Sequence, residues 1–389
     1  MDLILQPRSL LGQVQILPSK SFAHRVLICA ALADKPTSIF CPQTSADMEA
    51  TADCLRALGA SITRTPEGFE VTPISFVPKY AELSCRESGS TLRFLLPVVG
   101  ALGVDAVFSM EGRLPQRPLS PLWEEMETKG CRLSWESSAT LRCTGKLQAS
   151  TYTIDGSVSS QYITGLMLAL PHIQGHTALE ITGQVESAPY IQMTREVLAL
   201  FGGEGRHSPG KVTIEGDWSN AAFFFSANSL GSRISIDGLK EDSAQGDRQI
   251  QTLLPLLREG CPIICARDIP DLVPILSVVA AANHGAEFTQ IRRLRLKESD
   301  RVSSVLQMLE ALGGKAEATE DTITVYGTGL RGGIVDSFGD HRIAMSAAIA
   351  ATVCKQPVTI TDAHCVEKSY PSFWEEYARL GGQYEQYLR

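Results

Sequence analysis

Val305-Leu-Gln-Met-Leu-Glu-Ala-Leu-Gly313, with Thr322-Ile-Thr-Val-Tyr326 close behind it, shows the unit from which this chain is built. Its apolar residues follow a helical period, its glycine stands where a helix end wants a left-handed residue, and the alternation beyond is that of a half-buried strand. The same helix–glycine–strand pattern recurs at Leu55-Arg-Ala-Leu-Gly59, Met126-Glu-Thr-Lys-Gly130, Val197-Leu-Ala-Leu-Phe-Gly202, Leu256-Leu-Arg-Glu-Gly260 and Tyr377-Ala-Arg-Leu-Gly381. Six units whose glycines lie roughly 50 to 70 residues apart are too widely spaced for a solenoid, and each has room for a second helix and further strands. Three units in each of two α/β domains is the simplest packing. Val212-Thr-Ile-Glu-Gly216 closes the third unit and Asp217-Trp-Ser-Asn-Ala-Ala222 opens a capped helix, so one crossover is expected near residue 217 and the other near Pro18. The expected lobes are residues 1–19 with 218–389, and residues 20–217, with the first strand pairing in the C-terminal half.

At 389 residues the chain is longer than one compact domain should hold, which fits two lobes. A net charge of −8 with no Lys/Arg run argues against a nucleic-acid partner, so any anionic ligand needs a local basic cluster. Ten cysteines without a Cys-x-x-Cys read as free thiols in a reducing compartment. The N-terminus lacks a signal-peptide pattern, and the apolar run near Phe94 to Leu102 is too short to span a bilayer, so a cytoplasmic protein is expected. Gly327-x-Gly329-x-x-Gly332 matches a dinucleotide fingerprint by letter, but Gly333-Ile-Val-Asp336 next to it is strand-like, and a glycine-rich hairpin turn is the expectation.

The basic clusters lie at helix starts. In Leu17-Pro-Ser-Lys-Ser-Phe-Ala-His-Arg25, Pro18 and Ser19 or Ser21 read as entry and N-cap. Lys20, the Ser21 hydroxyl and Arg25 would then face one carboxylate or phosphate in front of the helix dipole. Glu87-Ser-Gly-Ser-Thr-Leu-Arg93 is a small-residue turn into an apolar helix, able to cradle an anion on its backbone N–H groups near Gly89, with Arg93 behind. Gln116-Arg-Pro-Leu119, Ser157-Val-Ser-Ser-Gln161, Arg295-Leu-Lys-Glu-Ser-Asp-Arg301, Asp340-His-Arg342 and Lys368 before Tyr370-Pro371 repeat the theme. Each alone could be a solvated face; their recurrence at helix starts in both halves of an acidic chain is poorly explained by chance.

Taken together and in order, Ser-Lys-Ser-x-x-x-Arg, Ser-Gly-Ser-Thr-Leu-Arg, Gln-Arg-Pro-Leu, Asp-Gly-Ser-Val-Ser-Ser-Gln, Ser-x-Pro-Tyr, Leu-Lys-Glu-Ser-Asp-Arg, Gly-Asp-His-Arg and Lys-Ser-Tyr-Pro resemble the 5-enolpyruvylshikimate-3-phosphate (EPSP) synthase family over the whole chain. The resemblance implies an α/β fold of two lobes, inverse α/β barrel-like, each of three βαβαββ repeats. It implies no metal and no organic cofactor. It further implies a cytoplasmic monomer that transfers the enolpyruvyl group of phosphoenolpyruvate to the 5-hydroxyl of shikimate 3-phosphate, a step toward aromatic amino acids inhibited by glyphosate in competition with phosphoenolpyruvate.

By the same resemblance, shikimate 3-phosphate falls to Ser21, Arg25, Ser159, Ser160, Gln161, Ser187, Tyr190, Asp271 and Lys297, and phosphoenolpyruvate to Gly89, Arg117, Gln161, Arg301, Arg342 and Lys368. Lys20 would touch both substrates, Asp271 would face the target hydroxyl, and Glu298 would serve the phosphoenolpyruvate methylene. Departures are Glu87-Ser88 where the family often has Asn before the glycine turn, Arg293 where an Asn often helps hold the shikimate phosphate, and segments after Gly202 and Gly260 that look trimmed. Two alternatives are a UDP-N-acetylglucosamine enolpyruvyl transferase and a catalytically dead metabolite-binding homologue. Against the first stands Ser21 where that enzyme has Asn, and a cysteine-free Gly112-Arg-Leu-Pro-Gln-Arg117. Against the second stands the survival of both proton-transfer carboxylates, Asp271 and Glu298.

Overall fold

The computed structural model describes residues 1–387, which fall into two units, one of Met1–Leu17 with the chain from Gly216 onward, the other Pro18–Glu215. The chain opens with β1 (Asp2–Leu5) and β2 (Leu11–Gln15). It then enters the Pro18–Glu215 unit through α1 (Lys20–Leu32), β3 (Thr37–Phe40), α2 (Ala46–Ala57), β4 (Ser61–Thr65) and β5 (Gly68–Thr72). A second module comprises β6 (Tyr80–Arg86), α3 (Gly89–Leu102), β7 (Asp105–Met110), α4 (Leu122–Thr128), β8 (Cys131–Ser137) and β9 (Thr140–Gly145). The third is β10 (Thr151–Asp155), α5 (Ser160–Ala169), β11 (Ala178–Thr182) and α6 (Ala188–Leu200), after which β12 (Lys211–Thr213) leads out.

The discontinuous unit resumes with α7 (Trp218–Ser229), β13 (Arg233–Asp237) and α8 (Ile250–Glu259). Next come β14 (Ile263–Cys265), α9 (Val273–Ala282), β15 (Gly285–Thr289), α10 (Arg301–Ala311), β16 (Lys315–Ala318) and β17 (Thr322–Tyr326). The last module is β18 (Gly333–Asp336), α11 (His341–Ala351), β19 (Val358–Thr361), α12 (Phe373–Arg379) and β20 (Tyr384–Tyr387).

In the full modules a parallel pair is extended by two antiparallel strands, as in the orders β6-β7-β9-β8 and β14-β15-β17-β16. Two further sheets borrow a strand to reach the same pattern: β12 completes β12-β3-β5-β4, and the N-terminal β1 completes β18-β19-β1-β20. The remaining module of each unit stops at its parallel pair, β10-β11 or β2-β13. Those two modules end at Gly202 and Gly260, the places where the sequence looks trimmed. One repeat in each unit is thus βαβα without its closing hairpin.

The helices sort by burial. The first helix of each module is apolar almost all round and lies inside its unit; every residue of α11 from His341 to Ala351 is buried, as are Val273 to Ala281 of α9. Such helices are core elements, because no face is left for water. The second helix of each module shows only a buried stripe, as α8 does with Ile250, Leu254 and Leu257. Five of the six marker glycines lie in the left-handed region beyond a helix end, Gly59, Gly130, Gly202, Gly313 and Gly381, but Gly260 is extended at φ −175°. Gly327 to Gly332 is a loop rather than the expected hairpin turn, because β17 and β18, which it joins, belong to different sheets. The ten cysteines are free thiols, with Cys261 and Cys265 exposed and the rest buried. Among the described residues no helix is long and apolar enough to cross a membrane.

Candidate active site

In the Pro18–Glu215 unit the expected residues gather where the three inner helices α1, α3 and α5 begin. Ser19 is the N-cap of α1, its Oγ accepting the Phe22 N–H, so Lys20 stands in the first turn. Lys20 Nζ meets Asp47 Oδ2 at 2.9 Å, from the first turn of α2. Arg25 is 2% exposed, and its donors are engaged. Nε donates to Thr194 Oγ1 at 2.8 Å, Nη1 to the Ser21 carbonyl at 2.6 Å, and Nη2 to Thr164 Oγ1 and the Tyr190 carbonyl at 3.2 and 3.1 Å. Its guanidinium also lies 4.9 Å from the Phe94 ring centre. Arg25 therefore ties α1 to α5 and α6.

Ser159 caps α5 and Ser160 is its first residue. Gln161 joins that helix to α3: its Oε1 accepts from Arg93 Nη1 at 3.0 Å and its Nε2 donates to Ser90 Oγ at 3.1 Å. Ser187 precedes α6 in the left-handed region at φ 54°, with Tyr190 in the first turn beyond it. At Gly89 a Cβ would fall 2.6 Å from Nη1 of both Arg117 and Arg93. A glycine is needed there so that two guanidinia can close on the backbone at the positive end of α3.

The other unit holds Asp271, Lys297, Glu298, Arg301, Arg342 and Lys368, and its organiser is Asp340. Asp340 is wholly buried as N-cap of α11; its carboxylate accepts the Arg342 N–H at 2.9 Å, Ser299 Oγ at 2.9 Å and Arg301 Nε at 2.8 Å. Arg301 is 1% exposed; its Nη1 also pairs with Asp271 and its Nη2 with Glu298 Oε2 at 2.7 Å. Arg342 Nη1 donates to the Ser219 carbonyl at 3.0 Å, and Nη2 lies 3.9 Å from Asp271 Oδ2. Lys297 Nζ reaches Asp271 Oδ1 at 3.4 Å, and Lys368 Nζ donates to the Gly339 carbonyl at 3.0 Å.

Asp271 is thus held by three cations. Burial alone would push its carboxyl up, but Lys297, Arg301 and Arg342 outweigh that and hold it well below the usual carboxylate range. Burial lowers Lys297 against the raising pull of Asp271. For Arg301 burial is overcome by Asp340, Glu298 and Asp271, which raise it well above its ordinary value. A buried cluster this rich in both signs persists only because nearly every charge has a partner.

The pairing carboxylates are invisible to sequence reasoning. Asp340 carries a cap signal in Asp340-His-Arg342, but nothing in the sequence ties it to Arg301; Asp47 carries no signal toward Lys20. Arg93, expected to back the anion cradle, is hydrogen-bonded to Gln161 and to the Pro118 carbonyl.

Two units of inner helices, parallel strand pairs and borrowed strands define the enolpyruvyl transferase architecture. An enolpyruvyl transferase from Streptomyces tendae superimposes with a TM-score of 0.77 at 18% identity, covering 99% of this chain and 98% of that one. EPSP synthase from Acinetobacter baumannii does so with 0.78 at 21% identity, over 99% and 100%. The family model described as EPSP synthase (3-phosphoshikimate 1-carboxyvinyltransferase) matches residues 4–257 and 260–377. Curated relatives named 3-phosphoshikimate 1-carboxyvinyltransferase include one from Clostridium kluyveri, 36% identical over 98% of both chains, and one from Clostridioides difficile, 35% identical over 99% of both. The chain belongs to the EPSP synthase family.

Proposed function

We propose that the protein transfers the enolpyruvyl group of phosphoenolpyruvate to the 5-hydroxyl of shikimate 3-phosphate, releasing phosphate. In the first step the hydroxyl oxygen adds to C2 of phosphoenolpyruvate while C3 gains a proton. In the second, the adduct expels phosphate and C3 gives up a proton, restoring the double bond. The shikimate phosphate and ring are assigned to Ser21, Arg25, Ser159, Ser160, Gln161, Ser187, Tyr190 and Lys297, and phosphoenolpyruvate to Gly89, Arg117, Gln161, Arg301, Arg342 and Lys368. Lys20 serves both. Ten unbridged cysteines fit a cytosolic setting.

The observation that carries the reading is the three-cation grip on Asp271. A carboxylate so stabilised is a poor base. Anions that draw Lys297 and Arg342 to themselves loosen the grip, so Asp271 becomes basic enough to take the hydroxyl proton when the substrates are bound. Glu298, bonded to Arg301 and ionised without substrate, takes up a proton when the bound substrate dianion raises its pKa, and delivers it to C3. Phosphate release should appear with phosphoenolpyruvate plus shikimate 3-phosphate, and not with UDP-N-acetylglucosamine as acceptor; the reverse preference would refute the assignment. In Glu298→Gln, turnover should fall by about 10²–10⁴ while both substrates still bind, the usual worth of a positioned acid. Deuterium uptake at C3 in D₂O should fall with it, and normal uptake would take the proton-transfer role away from Glu298.

A further inference from the structure

A line of buried polar side chains runs through the Pro18–Glu215 unit and ends under the Gly89 turn. His24 in α1, Thr51 in α2, and Ser88 and Thr91 at the start of α3 are each 0% exposed. His24 Nδ1 lies 2.7 Å from Thr51 Oγ1, which lies 2.7 Å from Thr91 Oγ1. Thr91 Oγ1 donates to Ser88 Oγ at 2.7 Å, and the same oxygen, as N-cap of α3, accepts the Thr91 N–H at 3.2 Å. The imidazole stands edge-on to Phe94, ring centres 6.3 Å apart, and its Nε2 has no hydrogen-bond partner.

That orphan atom decides where the protons sit. Burial, reinforced by Lys20 and Arg25, holds the ring well below its usual pKa and keeps it neutral. A buried N–H without an acceptor is rarer and costlier than a bare lone pair, so Nε2 carries the lone pair and Nδ1 the proton. Nδ1–H then donates to Thr51, Thr51 to Thr91, and Thr91 to Ser88, each hydroxyl donating onward in one direction. Chains aligned in this way strengthen one another, and breaking one link leaves buried groups unpaired.

We propose that His24 is a positioning residue for the start of α3, fixing through Thr51 and Thr91 the Ser88 cap and with it the Gly89 turn on which Arg117 and Arg93 close. Phosphoenolpyruvate affinity then depends on an imidazole too deeply buried to touch any ligand. This rests on the reading of Gly89 and Arg117 as phosphoenolpyruvate contacts.

Thr51→Val keeps the side-chain shape and removes the central link, and Thr51→Ser puts the hydroxyl back. In Thr51→Val, KM for phosphoenolpyruvate should rise roughly fivefold or more, the worth of one buried hydrogen bond. KM for shikimate 3-phosphate and kcat should stay within about twofold, and Thr51→Ser should recover most of the loss. An unchanged phosphoenolpyruvate KM in folded Thr51→Val, or equal loss for both substrates, would overturn the proposal. ¹⁵N-histidine NMR of the unsubstituted protein tests it independently: His24 should be neutral with its proton on Nδ1 between pH 6 and 8. An Nε2–H tautomer or a cation would refute the relay even if Thr51→Val failed to fold. Absence of turnover in the unsubstituted protein would instead sink the proposed reaction, and the relay would be decided by the tautomer.

Discussion

Asp247 lies behind the Asp271 cluster, 2% exposed, accepting a short hydrogen bond from the Ser219 hydroxyl, with its other oxygen unpartnered. Burial first, then the charge of Asp271, pushes its carboxyl up to about 7 against the pull of Arg342. The folded value lies above the unfolded one of about 3.9, so the native state holds the proton more tightly. The contribution of Asp247 to stability is therefore complete below about pH 4, shrinks as the pH rises toward 7 and is level above that. Asp247→Asn keeps the shape and cannot ionise. Its thermal midpoint minus that of the unsubstituted protein should climb between pH 5 and pH 8 and then flatten; a difference constant across that range would mean an ordinary carboxyl.

At the start of α3 two guanidinia, those of Arg93 and Arg117, close on one glycine. In Gly89→Ala the new methyl meets the tips of Arg117 and Arg93, which are flexible ends rather than backbone, so the fold should survive while the guanidinia move. Losing one charge-assisted contact is worth about 1.5–3 kcal/mol, so KM for phosphoenolpyruvate should rise roughly tenfold or more. Inhibition by glyphosate should weaken in parallel, and equal inhibition of both forms would remove Gly89 from the site. Elements of this kind are legible in the sequence because their signals are local. Ser19, Ser88, Ser159 and Asp217 each cap a helix through an N–H two or three residues on. The acid–base pairing is not legible: Asp340 and Arg301 lie 39 positions apart, Asp47 and Lys20 lie 27 apart, and only tertiary packing brings them together. Gly260 misleads for a related reason. The helix before it ends in extended backbone and runs on into β14, so no left-handed residue is needed there.

On the scale of the whole molecule, the two units differ in how the chain supplies them. Pro18–Glu215 is one continuous segment, whereas the other unit needs both ends of the chain. In its sheet β18-β19-β1-β20, β1 is central: Leu3 stands opposite Ile360 on one side and Gln386 on the other, and Leu3 and Leu5 are at most 1% exposed. Deleting residues 1–6 strips two strands of a partner and opens that core. Limited proteolysis of the deletion should leave a resistant fragment close to residues 18–215 while the rest is degraded. Equal resistance of both units would show that β1 is dispensable.

The position of β1 also bears on how the protein is made. Its residues leave the ribosome before the whole Pro18–Glu215 segment, and its partners β19 and β20 only long after that segment. At the usual ~5–20 residues per second, synthesis of the chain takes roughly 20 to 80 seconds, during which Leu3 and Leu5 have nowhere to go. The Pro18–Glu215 segment has no such wait, since all its strands have emerged before β13 is made. Assembly is therefore ordered in time, with the middle folding while the first strand stays unpaired, and a strand of only four residues keeps the exposed edge short during that wait.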